Sequence, residues 1–175
     1  MKNLKLVALV ALVCTLFTVS CKDDDDNASS ANNVMTIDGT QYTIELGVLE
    51  EFGENSDGSY DWDVSFLSDG FNINVGNETV TGIGSTLYLD LNTNSATGLV
   101  PGTYTYSNER AEFTWVFADA ATNFNVDTEE GNYFDAVSGT VTISGTRNNQ
   151  IIIIDMLDNN GNQITTNYRG ALQSF

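Results

Sequence analysis

The 175-residue chain carries 24 acidic residues against six basic ones, no histidine and two cysteines, for a net charge of −18. Without histidine it lacks the commonest general base and the commonest transition-metal ligand, which excludes Ser-His and Cys-His nucleophiles and His-ligated zinc. So acidic a surface repels phosphate backbones, and nucleic acid is not an expected partner.

The chain opens with a short basic stretch, Met1 to Lys5, followed by an apolar run from Leu6 to Phe17. That run has signal-peptide rather than membrane-spanning length. Both cysteines, Cys14 and Cys21, fall in this leader region. The remainder therefore has no thiol for a disulfide, a thiolate metal site or nucleophilic attack. Removal of residues 1–20 takes Lys2 and Lys5 away, leaving four basic residues against 24 acids, a charge of −20. Lys22 is then the last lysine, and Ser-Lys chemistry in the domain is excluded with it.

Thr18-Val19-Ser20-Cys21 resembles the lipobox of bacterial lipoproteins, with a small residue before the cysteine that receives diacylglycerol on its sulfur. The family most often has Leu where Thr18 stands. The resemblance implies cleavage before Cys21, lipid on Cys21 and a membrane as partner through that anchor. Lys22, Asp23 and Asp24 open an acidic run that resembles the surface-export signal of some Gram-negative lipoproteins. It implies an outer-membrane location facing the cell exterior. With the small polar residues Asn27 to Asn33, positions 21–33 read as a flexible acidic tether.

Residues 34–175 read as a single β domain, large enough to be held by a core alone. Short strands alternate with turn residues, there is one proline, and no helical stripe is sustained, so the class is all-β and antiparallel. Asp38-Gly39 joins two alternating runs. Tyr60 to Phe66 alternates strictly, with one face for the core and one for solvent, and Phe71, Ile73 and Val75 repeat that pattern. Leu87, Leu89 and Leu91 form one apolar face, and Phe113, Trp115 and Phe117 another. Pro101-Gly102 precedes a run with Tyr104 and Tyr106. Four consecutive isoleucines, Ile151 to Ile154, point to burial on both faces. Asn159-Asn160-Gly161 separates the arms of a final hairpin. Gly170, inside its second arm, marks a bulge or a close backbone approach. Roughly nine or ten strands fit an antiparallel β-sandwich or a calycin-like barrel, and spacing leaves both open. Gly139 to Ser144 through Tyr168 to Leu172 is similar to the closing hairpins of uncharacterised all-β lipoprotein domains, a likeness that implies a fold and no activity.

Chemistry has few carriers. Asp61 and Asp63 lie two apart on one strand, about 7 Å from each other on the solvent face, the spacing of carboxyls in inverting glycosidases. A catalytic pair needs one carboxyl with a raised pKa in a poorly solvated pocket, which an open strand face does not supply. No catalytic residue is assigned, and the domain is read as non-enzymatic. Glu50, Glu51, Glu54, Asp57, Asp61 and Asp63 surround one hairpin loop, and the last four are candidate calcium ligands, calcium being the one cofactor considered. Asp90-Leu91-Asn92-Thr93-Asn94 resembles the start of an EF-hand loop but has Ser95 for the turn glycine and Pro101 for the bidentate Glu, so that match is rejected. Tyr88, Tyr104, Tyr106 and Tyr133 are the candidate sugar-stacking residues. The expected function is non-enzymatic binding or display at the cell surface, with polysaccharide as ligand class. The alternatives are an architectural envelope or fimbrial-type subunit and a lipocalin-like barrel for an apolar small molecule.

Overall fold

A computed structural model describes residues 33–77 and 79–174. The leader 1–20, the lipidation position Cys21, the export residues Lys22, Asp23 and Asp24 and the tether as far as residue 32 lie outside the described residues, as does the side chain of Val75. Asn33 belongs to the folded part: its carbonyl accepts from Ile44 N (2.8 Å) and its Oδ1 from Arg169 N (2.8 Å).

Among the described residues there are eleven strands: β1 (Val34–Ile37), β2 (Thr40–Glu54), β3 (Tyr60–Ser68), β4 (Phe71–Asn74), β5 (Thr79–Thr93), β6 (Gly102–Tyr106), β7 (Thr114–Asn125), β8 (Glu130–Thr146), β9 (Asn149–Asp158), β10 (Gln163–Gly170) and β11 (Gln173–Ser174). Nine of them close a barrel in the order β1-β2-β3-β5-β7-β6-β8-β9-β10 and back to β1, while β4 and β11 stand outside the ring. The architecture is therefore the barrel, not the sandwich. It is mixed rather than purely antiparallel. β7 and β8 pair directly only between Asp119↔Asp135 and Asn125↔Glu130, then diverge. β6 fills the wedge, antiparallel to β8 and parallel to β7.

Local chemistry explains the hairpins. Asp38 and Gly39 both have positive φ (48° and 75°), the backbone a two-residue turn needs to match the strand twist. At the β9–β10 turn the Asp158 carboxylate accepts from Asn160 N and Asn162 N at 2.8 and 2.7 Å. At Gly170 a Cβ would sit 2.9 Å from the Tyr168 hydroxyl, so what comes close is a side chain, and the pairing of Gly170 with Gln150 carries no bulge.

The interior is filled by one side chain in two: Trp62, Val64 and Phe66 from β3, Leu87, Leu89 and Leu91 from β5, and Ile152, Ile154 and Met156 from β9, with Tyr104, Trp115 and Tyr168 closing the layers. Two sequence expectations are corrected. The isoleucine run is buried on one face only, because a strand of a barrel wall has both edges paired but one side outside: Ile152 is wholly buried and Ile153 is 49% exposed. Of the second apolar face, Trp115 is inside, but Phe117 points out and is 49% exposed. The cause is a bulge, Asp90 pairing with Phe117 and Leu91 with Trp115, so that Val116 is the extra residue and the alternation changes phase. Phe71 and Ile73, on the strand outside the ring, are half-buried.

Candidate functional site on the outer wall

β3 and β5 are neighbours in the register Asp61↔Asn92, Asp63↔Asp90, Ser65↔Tyr88. The alternation that sends Trp62, Val64, Leu89 and Leu91 inward sends Asp61, Asp63, Tyr88, Asp90 and Asn92 outward. This outer face is covered rather than open: Asp63 is 6% exposed, Asp90 7% and Asn92 fully buried. The carboxylates of Asp61, Asp63 and Asp90 each present an oxygen within 4.8 Å of the other two. Facing like charges across a sheet is unfavourable, so the cluster needs compensation.

Arg110 supplies it. The segment 107–113 between β6 and β7 doubles back, held by Phe113 N donating to Asn92 O (2.8 Å) and Thr105 N donating to Phe113 O (3.1 Å). Phe113 adopts a positive φ of 60°, a strained conformation for an aromatic residue that costs on the order of 1 kcal/mol. Packing of its ring on Tyr104, at 5.4 Å between centroids, helps to hold it. The turn lowers Arg110 onto the cluster. Its guanidinium bonds Asp90 in bidentate fashion (Nη1–Oδ1 2.9 Å, Nη2–Oδ2 2.6 Å), pairs with Asp61 Oδ2 at 2.5 Å and reaches Asn92 Oδ1 at 3.2 Å. Asn92 Oδ1 also accepts from Asn55 Nδ2 (2.8 Å), which ties in the β2–β3 loop.

Among the described residues Asp63 is left outside the ion pairs. Its partner is the Tyr88 hydroxyl, which donates to Oδ2. Burial pushes the Asp63 pKa up from 3.8 to about 6; the Tyr88 hydrogen bond opposes the rise, and Asp90, Asp61 and Glu50 add to it. Burial and Asp63 together push the Tyr88 hydroxyl far above its ordinary range. Burial and Asp61 raise Asp90, held back by Arg110. Asp63 is thus a carboxyl that exchanges its proton near pH 6 beside two others tied to a guanidinium.

The sequence candidates scatter. Of the calcium set, Asp61 and Asp63 come together with Asp90, whereas the exposed Glu54 is not in that cluster and Asp57 turns back to accept from Ser59 Oγ (2.8 Å). The guanidinium of Arg110 lies against the cluster, its Nη1 bonded to both Asp61 and Asp90. Among the tyrosines, Tyr88 belongs to the site, half-buried and 5.9 Å from the exposed Phe117 ring. Tyr104 is corrected as a surface platform: it is wholly buried in the core and its hydroxyl donates to Val100 O (2.9 Å). Tyr106 (40% exposed) packs on Trp115, and Tyr133 (51% exposed) on Phe124. Of the remaining site residues, Asp90 and Asn92 entered the sequence reading only in the rejected EF-hand match, Phe117 only as an apolar-face residue, and Arg110 not at all. The available signal for Arg110 was its rarity, one of three arginines in so acidic a chain.

Fold and site together define a class, a closed mixed β-barrel bearing a carboxylate–guanidinium cluster and an exposed aromatic ring on its outer wall. No protein-family model matches the chain, and no curated protein or solved structure matches it.

Proposed function

We propose that the chain is a surface-exposed outer-membrane lipoprotein, anchored through lipid on Cys21, whose barrel binds a polysaccharide without altering it. The address rests on Lys2 and Lys5, the apolar run, Ser20-Cys21 and Lys22-Asp23-Asp24. The observation that carries the binding reading is the exposed ring of Phe117 beside Tyr88 and the Asp63–Asp90–Arg110 cluster. A flat ring covers the apolar face of a pyranose, while carboxylates and a guanidinium exchange hydrogen bonds with its hydroxyls. The non-enzymatic reading draws on Asp61 and Asp90 being committed to Arg110, so that neither is a free partner for Asp63. A closed barrel is also the architecture of a lipocalin-like carrier. Here Trp115, Tyr104, Phe66 and Met156 are wholly buried in the interior, which supports a ligand on the outside.

The test is calorimetric titration of neutral and aminated oligosaccharides with wild type, Phe117→Ala and Arg110→Met. Binding by wild type that falls at least roughly tenfold in both variants supports the reading. Hydrolysis of a glycan that Asp63→Asn or Asp61→Asn abolishes would replace it with a glycosidase. For the address, a clickable fatty acid supplied to expressing cells should label wild type and leave Cys21→Ser unlabelled. A second reading, the architectural subunit, draws on Val137, Ile153 and Leu157, which are 43%, 49% and 44% exposed on β8 and β9. Self-association lost on Ile153→Ser would favour it.

A further inference from the structure

β4 leaves the ring and pairs with the first four residues of β5, from Phe71↔Gly82 to Asn74↔Thr79. The end of β7 continues this flap on the far side of β5, through Gly84↔Phe124 and a hydrogen bond from Val126 N to Gly82 O of 3.1 Å. Glycines let the flap fold back on the wall. A Cβ at Gly82 would lie 2.5 Å from Gly70 O, and one at Gly84 2.5 Å from the Phe71 ring.

The bend leaves a groove of about 290 Å³ between the flap and the outer face of β2 and β3. Its apolar walls are Val48, Leu67, Phe71, Val80, Phe124 and Val126; its polar groups are Glu50 and Ser65. Glu50 stands directly opposite Asp63, and two strands beyond Ser65 the wall carries Asp119 opposite Asp135. Among the described residues the ion pairs are those of Arg110 with Asp61 and Asp90, so these facing acids have no cation of their own. Repulsion between directly opposed like charges is relieved by a cation brought from outside. The free edge of β4 adds backbone donors and acceptors, since among the described residues it pairs with β5 alone.

We propose that this groove docks an extended peptide segment of a partner protein carrying a basic side chain two residues from an apolar one. Residues two apart point to the same side of an extended chain. The apolar side chain enters between Phe71 and Phe124, the basic one meets Glu50 and Asp63, and the backbone aligns with β4. A second copy of this chain is the wrong occupant on charge, because it brings a net −18 to an acidic surface. The groove is small beside ligand pockets of about 300–1,000 Å³, the scale of one or two side chains.

The experiment is fluorescence anisotropy of the full chain with a labelled eight-residue peptide, leucine and lysine taking alternate odd positions with serine between them. Two controls replace lysine by glutamate or leucine by serine. Saturable binding is expected for the leucine–lysine peptide, at least roughly tenfold weaker for either control and for the Glu50→Gln and Phe71→Asn variants. Glu50→Gln is isosteric on the wall, so the test survives if Phe71→Asn misfolds. Phe117→Ala should leave the peptide affinity unchanged, which separates this groove from the proposed glycan site. Equal binding of the serine–lysine control would reduce the effect to net charge and overturn the proposal. So would undiminished binding by Glu50→Gln, or a wild-type dimer that Phe71→Asn dissociates, which would assign the groove to a second copy.

Discussion

Replacing Asp63 by Asn should make the barrel more stable at neutral pH. Asp63 is 6% exposed and titrates at about 6 instead of 3.8. Its folded pKa lies above the unfolded value, so the proton favours the fold. That contribution is complete below about pH 4 and is lost as the pH climbs through 6. At about 1.4 kcal/mol per pH unit of separation, the gap is worth roughly 3 kcal/mol. Asn carries no charge and keeps an oxygen to accept the Tyr88 hydroxyl, so the variant retains at pH 7.5 what the wild type has lost. The expected gain is about 2–3 kcal/mol, or roughly 6–12 °C in melting temperature for a domain of this size. Urea titrations between pH 3.5 and 8, followed through the buried Trp62 and Trp115, measure it. The difference between variant and wild type should shrink toward zero at the acid end. A variant no more stable than wild type at pH 7.5, or a difference that does not change with pH, refutes the reasoning.

Arg110→Met leaves Asp61 and Asp90, with side chains 13% and 10% exposed, without their counter-charge. Because Arg110 is itself 37% exposed, the cost of a broken buried pair is discounted to about 2 kcal/mol, read by urea denaturation, and a loss under about 0.5 kcal/mol contradicts the assignment. In the same variant, millimolar calcium should raise the melting temperature by several degrees while moving wild type by less than about 1 °C, since the three carboxylates are then without the guanidinium. Ile152→Ala should cost about 2–4 kcal/mol and Ile153→Ala under about 1 kcal/mol; equal costs would mean that both faces of β9 are buried after all. Gly39→Ala should cost about 1 kcal/mol, because its φ of 75° suits glycine, and calorimetry that detects no change would remove the glycine from the account of the β1–β2 hairpin.

The site was half legible. Asp61 and Asp63 stand out in the sequence because strict alternation sends both to one face, and that parity holds. Asp90 sits 27 positions beyond Asp63 in the chain and reaches it only through the β3–β5 register, which no local pattern states. Arg110 arrives from a loop whose course depends on the left-handed Phe113 and on its contact with Asn92. The solvent face expected for the aspartates became a buried one for the same reason, since loops from two other parts of the chain cover it. Tyr104 and Phe117 exchanged their expected roles: position on the barrel put the first inside, and a single bulge on β7 put the second outside.

What the chain determined by itself is what acts over a few residues. Alternation named the inward residues Trp62, Val64, Phe66, Leu87, Leu89 and Leu91, and the two-residue Asp38-Gly39 turn and the Asn-Gly turn at 160–161 placed hairpins where they form. The absence of histidine excluded whole classes of chemistry before any fold was known. Closure was decided only in three dimensions. Sandwich and barrel need the same alternating strands, and the choice falls to the pairing of β1 with both β10 and β2 and to the wedge of β6 between β7 and β8, contacts between segments far apart in the chain. Such pairings are selected by the summed burial of a common interior, a quantity that no window of sequence contains.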